Sequence, residues 1–365
     1  MVSKHTSGAG KVLTGVICAL VFFGLAMVYS AGIVDSQKHF GTAYHYISRQ
    51  ILFGALPGLI LYFVISRIDY RKLRGWARGF LVLALVATAG VFVPGIGYAV
   101  RGSFRWISIG PISFQPSEFL KLGLVLYFAA WFGQRRVASH NTYALIPFLL
   151  VLAFAVLLIA KQPDYGTLVV IAAIILALYF FAGAKLSQFV GIVAGMAILL
   201  SILFVVSPHS LNRIKTFFNR DNDTQGISYH INQSLIGIGS GGMFGLGFGQ
   251  SQQKLRFLPE PVGDSIFVIV VEELGFVGAA AVLGLFVILA GTLIIIARAA
   301  PDDFGRLFVL GLAVWVIGQS FVNIAAISGM IPLTGLPLPF ISFGSSSLVA
   351  LLAGFGVARN VANHG

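Results

Sequence analysis

The residues of this sequence that could do chemistry are a few charged side chains set beside long apolar runs. Arg105 is followed by Glu118 and Lys121, while Asp164 and Asp264 each come directly before an apolar run. A carboxylate with apolar walls and basic neighbours can hold a pKa suited to proton transfer. Arginine and lysine bind anionic groups. The sequence therefore indicates acid–base chemistry on a negatively charged substrate.

Each of these residues also has a purely structural interpretation. Glu118 and Lys121 are three residues apart on one helix face and can pair with each other. Asp164 and Asp264 precede predicted helices, where an aspartate can cap the first free backbone N–H groups. Spacing alone leaves both interpretations open, and for Asp264 capping and catalysis are compatible.

The composition defines the surroundings of these charges. Of 365 residues, 58% are hydrophobic and 10% are charged, and the mean hydropathy is +0.93. Soluble domains carry about 25% charged residues, so a soluble enzyme and a disordered protein are both excluded. The formal net charge of +12 has no soluble basic domain to carry it, which argues against nucleic acid as a partner. The single cysteine, Cys18, excludes an intrachain disulfide.

Apolar runs of about 20 residues match the length of a helix that crosses a bilayer. Ten such runs occur, without the alternation that membrane β-strands require. We therefore predict an all-α polytopic membrane protein, with residues 1–365 as a single integral membrane domain. The ten predicted spans are residues 12–33, 47–66, 78–94, 116–132, 143–160, 166–183, 187–206, 265–297, 304–328 and 341–361.

The basic residues predict the orientation of these spans. Connections on the side of the N-terminus hold most of the lysine and arginine, including Arg71, Arg74 and Arg78. Cytoplasmic loops carry such an excess, so both termini are predicted to be cytoplasmic. Residues 207–264, between the seventh and eighth spans, then form a large extracytoplasmic loop, and long loops of this kind are usually functional.

Three further segments have unusual composition. The Gly-rich run 237–249 lacks the ending of a nucleotide-binding loop and fits a re-entrant segment packed against helices.

Glu272 and Glu273 lie inside the eighth span, about 12 Å or more from Asp264 at about 1.5 Å per residue. They suit contacts that anchor neighbouring helices at least as well as catalysis. The Pro-rich run 335–347 predicts a non-helical segment that lines a cavity.

Taken together, the motifs resemble those of the SEDS family (shape, elongation, division and sporulation). Their order along nearly the whole chain is that of the family, and two of them, GLGFGQSQQK and PEPVGDSIF, are most similar to the cell-division FtsW branch. The motifs that carry the resemblance are GSFRWI, QPSEFLK, QPDYGT, GLGFGQSQQK, PEPVGDSIF, EELGFVG and GLPLPFISFGSSSL.

The resemblance implies a peptidoglycan glycosyltransferase that polymerises lipid II at the outer face of the bacterial cytoplasmic (inner) membrane during septal cell-wall synthesis. It implies Asp264 as the general base on the acceptor 4-hydroxyl, with basic residues stabilising the polyprenyl pyrophosphate leaving group. The residues that match substrate-binding positions of the family are Arg105, Lys121, Arg213, Glu118, Asp164 and Gln233.

The same resemblance implies partners, namely polyprenyl-pyrophosphate-linked glycan, a class B penicillin-binding transpeptidase and other division proteins. We expect no metal site of Cys and His ligands and no cofactor, although a divalent cation is possible. One competing function is a lipid II flippase or transporter, which would distribute its charges across the depth of the bilayer. A second is a rod-elongation polymerase of the same family. A third is a scaffold for division proteins, which is compatible with polymerase activity.

The sequence departs from the family pattern at two places. Many relatives have His-Thr-Asp-Phe where this chain has Val262-Gly263-Asp264-Ser265, so we expect no histidine to assist the base. Relatives commonly have Gly-Gly-Ser where this chain has Gly344-Ser345-Ser346. A side chain in place of a glycine puts the local backbone conformation in question.

Overall fold

The structure, a computed structural model, describes residues 2–100, 103–110, 112–134, 146–218, 226–255 and 257–365. Most of these residues are helical. The helices are α1 (Val2–Phe40), α2 (His45–Gln50), α3 (Leu56–Ile65), α4 (Tyr70–Gly90), α5 (Pro116–Gln134), α6 (Ile146–Lys161), α7 (Tyr165–Phe181), α8 (Leu186–Val206), α9 (Pro208–Phe218), α10 (Ile227–Ser240), α11 (Ile266–Ala299), α12 (Asp303–Ile327) and α13 (Ser345–His364).

Within the described residues, seven helical segments are long and apolar enough to cross a membrane. They are α1, the continuous run of α2 and α3, α4, α8, α11, α12 and α13. Shorter apolar helices are formed by α6 and α7, and α5 carries Glu118 and Lys121 in its first two turns. The chain is therefore an integral membrane protein built mainly of helices, as its composition predicts.

Aspartate residues are the N-caps of several of these helices. Asp164 caps α7, because its carboxylate accepts a hydrogen bond from the Thr167 backbone N–H at 3.3 Å. The capping interpretation of Asp264 is not realised, since the N-cap of α11 is the next residue, Ser265. The functional interpretation of Asp264 stays a prediction.

The apolar runs predict only helices, and the structure corrects this between α4 and α5. An antiparallel sheet forms there from β1 (Gly97–Val100), β2 (Ser103–Ile109) and β3 (Ile112–Phe114), in the order β1-β2-β3. Isoleucine and aromatic residues in these strands favour extended backbone. Gly110 has φ +61 in the connection between β2 and β3, where a tight turn favours glycine. The sheet carries Arg105 at one end of the helices.

The segment 207–264 contains α9, α10 and a Gly-rich stretch that packs against a break in α11. The predicted polar loop is thus partly helical, and residues 219–225 lie outside the described residues. Gly275 has φ +66 inside α11, so the helical hydrogen bonds are interrupted there. The Leu246 N–H donates to the Glu272 carbonyl at 2.9 Å, and the Phe276 N–H donates to the Gly242 carbonyl at 2.9 Å. The Gly-rich run thus packs against a helix, as predicted, and its entry into the membrane stays a prediction.

The side chains of Glu272 and Glu273 anchor the same Gly-rich segment. Lys254 Nζ lies 2.8 Å from Glu273 Oε1, and Ser30 Oγ of α1 donates to the same carboxylate at 2.7 Å. The Gln252 backbone N–H donates to Glu272 Oε1 at 2.9 Å. These contacts join α1, α11 and the loop, so the anchoring interpretation accounts for both glutamates.

Candidate active site

A polar cavity of about 380 Å³ lies where β2, α5, α7, α9 and the start of α11 meet the Pro-rich segment. The structure brings five of the seven predicted site residues together in its wall. These five residues are Arg105, Glu118, Asp164, Arg213 and Asp264.

Asp264 is held by hydrogen bonds to the backbone on both sides of it. Asn323 Nδ2 donates to the Asp264 carbonyl at 2.8 Å and to the Leu336 carbonyl at 2.6 Å. Ser342 Oγ donates to the Gly263 carbonyl at 2.7 Å. The turn before α11 is thereby fixed to α12 and to the Pro-rich segment. The half-buried Asp264 carboxylate then lies in the cavity wall.

Arg213 of α9 and Asp264 both lie close to Gly335. A β-carbon added to Gly335 would be 3.8 Å from an Arg213 guanidinium nitrogen and 3.8 Å from Asp264 Oδ2. Arg213 is oriented by a 3.0 Å hydrogen bond that it donates to the Leu333 carbonyl. Gly335 has φ +72, which favours glycine. A carboxylate and a guanidinium therefore approach the same point of the cavity wall, beside this glycine.

Arg105 supplies a second positive charge to this cavity. It donates to the Pro163 carbonyl at 2.6 Å, and its guanidinium lies 3.6 Å from Asp164 Oδ1. Burial and the positive charge of Arg105 lower the pKa of Arg213, whereas Asp264 and Asp164 act to raise it. Two guanidinium groups in one partly buried cavity repel each other, so an entering anionic group would relieve this repulsion.

Glu118 and Lys121 form the predicted ion pair, with 2.7 Å between Glu118 Oε1 and Lys121 Nζ, and both are almost fully buried. Lys121 also donates to Gln319 Oε1 at 2.9 Å and lies 5.0 Å from the Trp315 ring centroid. The second Glu118 oxygen, Oε2, is buried without a hydrogen-bond partner in the described part of the chain. Glu118 thus lines the cavity, and Lys121 holds Glu118 in place from behind.

Two predicted site residues are not in the described lining of the cavity. One is Lys121, and the other is Gln233, which is half-buried on α10. Sequence reasoning missed Asn323 and Glu260, the first of which positions Asp264 while the second lines the cavity. A signal for Asn323 was available, since Gln319 and Asn323 are amide side chains four residues apart in an otherwise apolar helix.

A histidine far from the candidate base in sequence lies close to it in the fold. His230 Nε2 of α10 lies 2.7 Å from Ser265 Oγ, and Ser265 Oγ lies 3.3 Å from Asp264 Oδ1. Ser265 Oγ is also 2.8 Å from the Pro259 carbonyl, and its one proton is donated either to that carbonyl or to Asp264. The expectation that no histidine assists the base stays a prediction.

The second departure from the family pattern is accommodated without strain. Gly344 has φ 170, which is extended backbone open to any residue, and Ser345 is the first residue of α13. Ser346 Oγ accepts a hydrogen bond from the Gln115 backbone N–H at 3.0 Å. The serine that follows Gly344 thus needs no left-handed conformation.

Comparisons with known proteins show the family of this chain. The family model of FtsW, RodA and SpoVE, described as cell cycle proteins, matches residues 11–365. The chain belongs to this family. It is 39% identical to "Probable peptidoglycan glycosyltransferase FtsW" of Trichlorobacter lovleyi, in a match that covers 96% of this chain and 92% of the relative. It is 37% identical to "Stage V sporulation protein E" of Bacillus subtilis, in a match that covers 100% of this chain and 99% of the relative.

Solved structures show the same architecture. A chain of a peptidoglycan synthase complex, studied for its coordination of polymerization and crosslinking, matches with a TM-score of 0.80 at 28% identity. That match covers 96% of this chain and 97% of the other. The rod shape determining protein RodA of Thermus thermophilus matches with a TM-score of 0.71 at 28% identity, covering 96% and 95% of the two chains. The fold of this family member is therefore shared along nearly its whole length.

Proposed function

We propose that this protein is a peptidoglycan glycosyltransferase that polymerises lipid II during septal cell-wall synthesis. The observation that carries the proposal is that the Asp264 carboxylate and the Arg213 guanidinium lie together in one cavity wall, both close to Gly335. The septal assignment is supported by relatives named FtsW at up to 39% identity, compared with 28% for the RodA structure.

In the proposed reaction, the 4-hydroxyl of an incoming lipid II sugar attacks the anomeric carbon of the growing glycan strand. The new bond joins this oxygen to the anomeric carbon. The bond from that carbon to the polyprenyl pyrophosphate breaks, and the pyrophosphate leaves with the electron pair. The hydroxyl proton passes to the Asp264 carboxylate, a general-base step typically worth about 10²–10⁴-fold in rate.

Positive charge near the pyrophosphate is the second requirement of this reaction, because negative charge develops on the leaving oxygen. Arg213 and Arg105 are the proposed donors, since both line the cavity. Asp164 orients Arg105, and the buried pair of Glu118 and Lys121 shapes the wall. The proposal includes no resident cofactor, and a divalent cation accompanying the pyrophosphate is compatible with the carboxylates in the wall.

We further propose that the chain is one membrane domain of ten spans, in the bacterial cytoplasmic membrane. Three helices are added to the seven longest segments, because α5, α6 and α7 are apolar and pack among them. With both termini cytoplasmic, the cavity and the loop 207–264 face outward. The ten proposed spans are α1, α2 with α3, α4, α5, α6, α7, α8, α11, α12 and α13.

The proposed partner is a class B penicillin-binding transpeptidase, which would crosslink the strands that this protein makes. Support comes from the matching synthase complex, whose study concerns polymerization and crosslinking together. Other division proteins are expected to recruit the pair to the septum.

The decisive test is polymerisation of lipid II by the purified protein together with its transpeptidase. The proposal predicts a ladder of glycan strands that grows with time. A lipid II flippase would instead move labelled lipid II across liposome membranes and make no strands, and that result would overturn the proposal. The charges of the candidate site lie at one end of the helices rather than along their depth, which favours polymerisation.

A further inference from the structure

A second polar cavity lies at the opposite end of α4 and α5 from the candidate active site. Its volume is about 450 Å³. Helix α5 extends from Glu118 at the first cavity to Gln134 at the second, a length of about 24 Å at about 1.5 Å per residue. The second cavity therefore lies near the other face of the membrane. Its polar and aromatic lining includes Arg71, Arg74, Arg78, Tyr127, Trp131 and Gln134.

The three arginines lie on one face of α4, at positions i, i+3 and i+7. Arg71 Nε is 3.4 Å from Asp302 Oδ2, which balances one charge. When the Gln134 side-chain amide is oriented with its oxygen toward Arg74, that oxygen accepts a hydrogen bond from Arg74 Nε at 2.9 Å. No carboxylate in the described part of the chain forms an ion pair with Arg74 or Arg78. Two positive charges thus face this cavity without a balancing charge.

Membrane orientation alone accounts for arginines at this face but not for their arrangement. The orienting effect depends on the number of basic residues near the ends of spans, and exposed positions anywhere in the loop would supply it. Here the guanidinium groups line a concave surface beside Trp131 and Tyr127. Guanidinium groups bind phosphate oxygens in a bidentate geometry that lysine cannot match.

We propose that this cavity binds a phosphoryl group, supplied by the headgroup of an anionic phospholipid. The lipid source is favoured by the next two turns of α4, where the side chains of Val82 and Val86, four and eight residues after Arg78, are 59% and 64% exposed. Acyl chains of a lipid bound at the arginines would cover these side chains. Basic cavities between spans at the cytoplasmic face are suited to anionic headgroups. The proposal does not depend on the proposed catalytic function.

Native mass spectrometry of the detergent-purified full chain tests this site with phosphatidylglycerol and phosphatidylcholine of identical acyl chains. The wild type should retain phosphatidylglycerol about tenfold better, since each arginine near a headgroup contributes to anionic lipid binding. The double variant Arg74→Gln/Arg78→Gln should lose this preference. Arg298→Gln should keep it, because Arg298 is an exposed arginine at the same end of the spans but outside the cavity.

Two further arms separate the source of the phosphoryl group from a folding defect. Arg74→Lys/Arg78→Lys keeps the charge at both positions and should retain only part of the preference. In phosphatidylcholine nanodiscs, inorganic phosphate could stabilise the wild type even though the protein shows no preference for phosphatidylglycerol. That combination would support a phosphoryl site but overturn the lipid as the source of the phosphoryl group. Equal retention of both lipids without a phosphate effect would overturn the proposal, as would an equal loss in Arg298→Gln.

Discussion

Glu118 and Lys121 show how single residues hold charge in this membrane protein. The pair is almost fully buried, and Gln319 and the Trp315 ring complete the surroundings of the lysine. A buried ion pair adds little net stability compared with apolar residues, but removing one partner leaves an uncompensated charge. The structural role of Lys121 and the cavity-lining role of Glu118 are therefore coupled.

The variant Lys121→Met should lose about 3–5 kcal/mol of unfolding free energy, because Glu118 is left buried without its cation. The double variant Glu118→Gln/Lys121→Met should regain most of this loss. Denaturant unfolding in detergent provides the measurement. A single variant as stable as the wild type would show that the pair is not buried as described.

Gly335→Ala tests the placement of Arg213 and Asp264 beside this glycine. The new methyl group would be in ordinary contact with both side chains, at 3.8 Å, but a residue with φ +72 is strained by any side chain. A backbone shift that relieves this strain should move the two groups and lower polymerisation by about 10–100-fold, as small misplacements of reacting groups do. Gly318→Ala is the control, since a β-carbon there meets nothing within 4 Å. Equal activity of the two variants would contradict the assigned geometry.

At the scale of elements, the break in α11 at Gly275 joins the Gly-rich segment to the bundle. Backbone groups freed by the break are satisfied by residues of that segment, and Glu272 and Glu273 hold the loop that follows it. The same loop leads to the turn that carries Asp264. The position of the candidate base thus depends on a contact between elements far apart in sequence.

Gly275→Ala should destabilise the protein by about 2 kcal/mol or more, because the residue is left-handed and its β-carbon has no room. That atom would be 2.4 Å from the Gly245 backbone nitrogen. Gly284→Ala in the same helix is the control, because nothing lies within 4 Å of its β-carbon. Thermal unfolding of both variants measures the difference, and similar melting temperatures would argue against the described break.

How far the sequence predicts each element depends on the range of the interactions that form it. The apolar runs for α8 and α13 and the cap at Asp164 depend on local residues, and their predictions agree with the structure. The break at Gly275 and the contact of His230 with Ser265 depend on distant partners, which composition and spacing do not show. Lys121 illustrates the limit within the site, since spacing paired it with Glu118 but could not show that it lies behind the cavity wall.

At the scale of the whole molecule, the two polar cavities lie at opposite ends of α4 and α5. The candidate active site is lined by both carboxylates and arginines. The second cavity is lined by three arginines, of which Arg71 is paired with the Asp302 carboxylate. This asymmetry agrees with the proposed orientation, in which chemistry occurs outside and an excess of positive charge lies inside. The separation of the cavities also favours polymerisation at one surface over a continuous path across the membrane.

Cysteine labelling in a Cys18→Ala background tests the proposed orientation. Thr42→Cys, in the α1–α2 connection, should react with a membrane-impermeant maleimide in intact cells. Pro301→Cys, in the α11–α12 connection, should react only after the membrane is permeabilised. Both positions are exposed, so accessibility within the protein is matched. The reverse pattern would place the candidate active site in the cytoplasm and contradict the account.

The central claim is that Asp264 accepts the proton of the attacking hydroxyl, and the rate of glycan strand formation by Asp264→Asn measures it most directly. The account predicts a loss of about 10²–10⁴-fold, with unchanged thermal stability. Asp303→Asn, the same change at an exposed residue at the far end of the bundle, should polymerise lipid II at the wild-type rate. Strand formation by Asp264→Asn within about twofold of that rate, a loss far smaller than general-base catalysis supplies, would contradict the account.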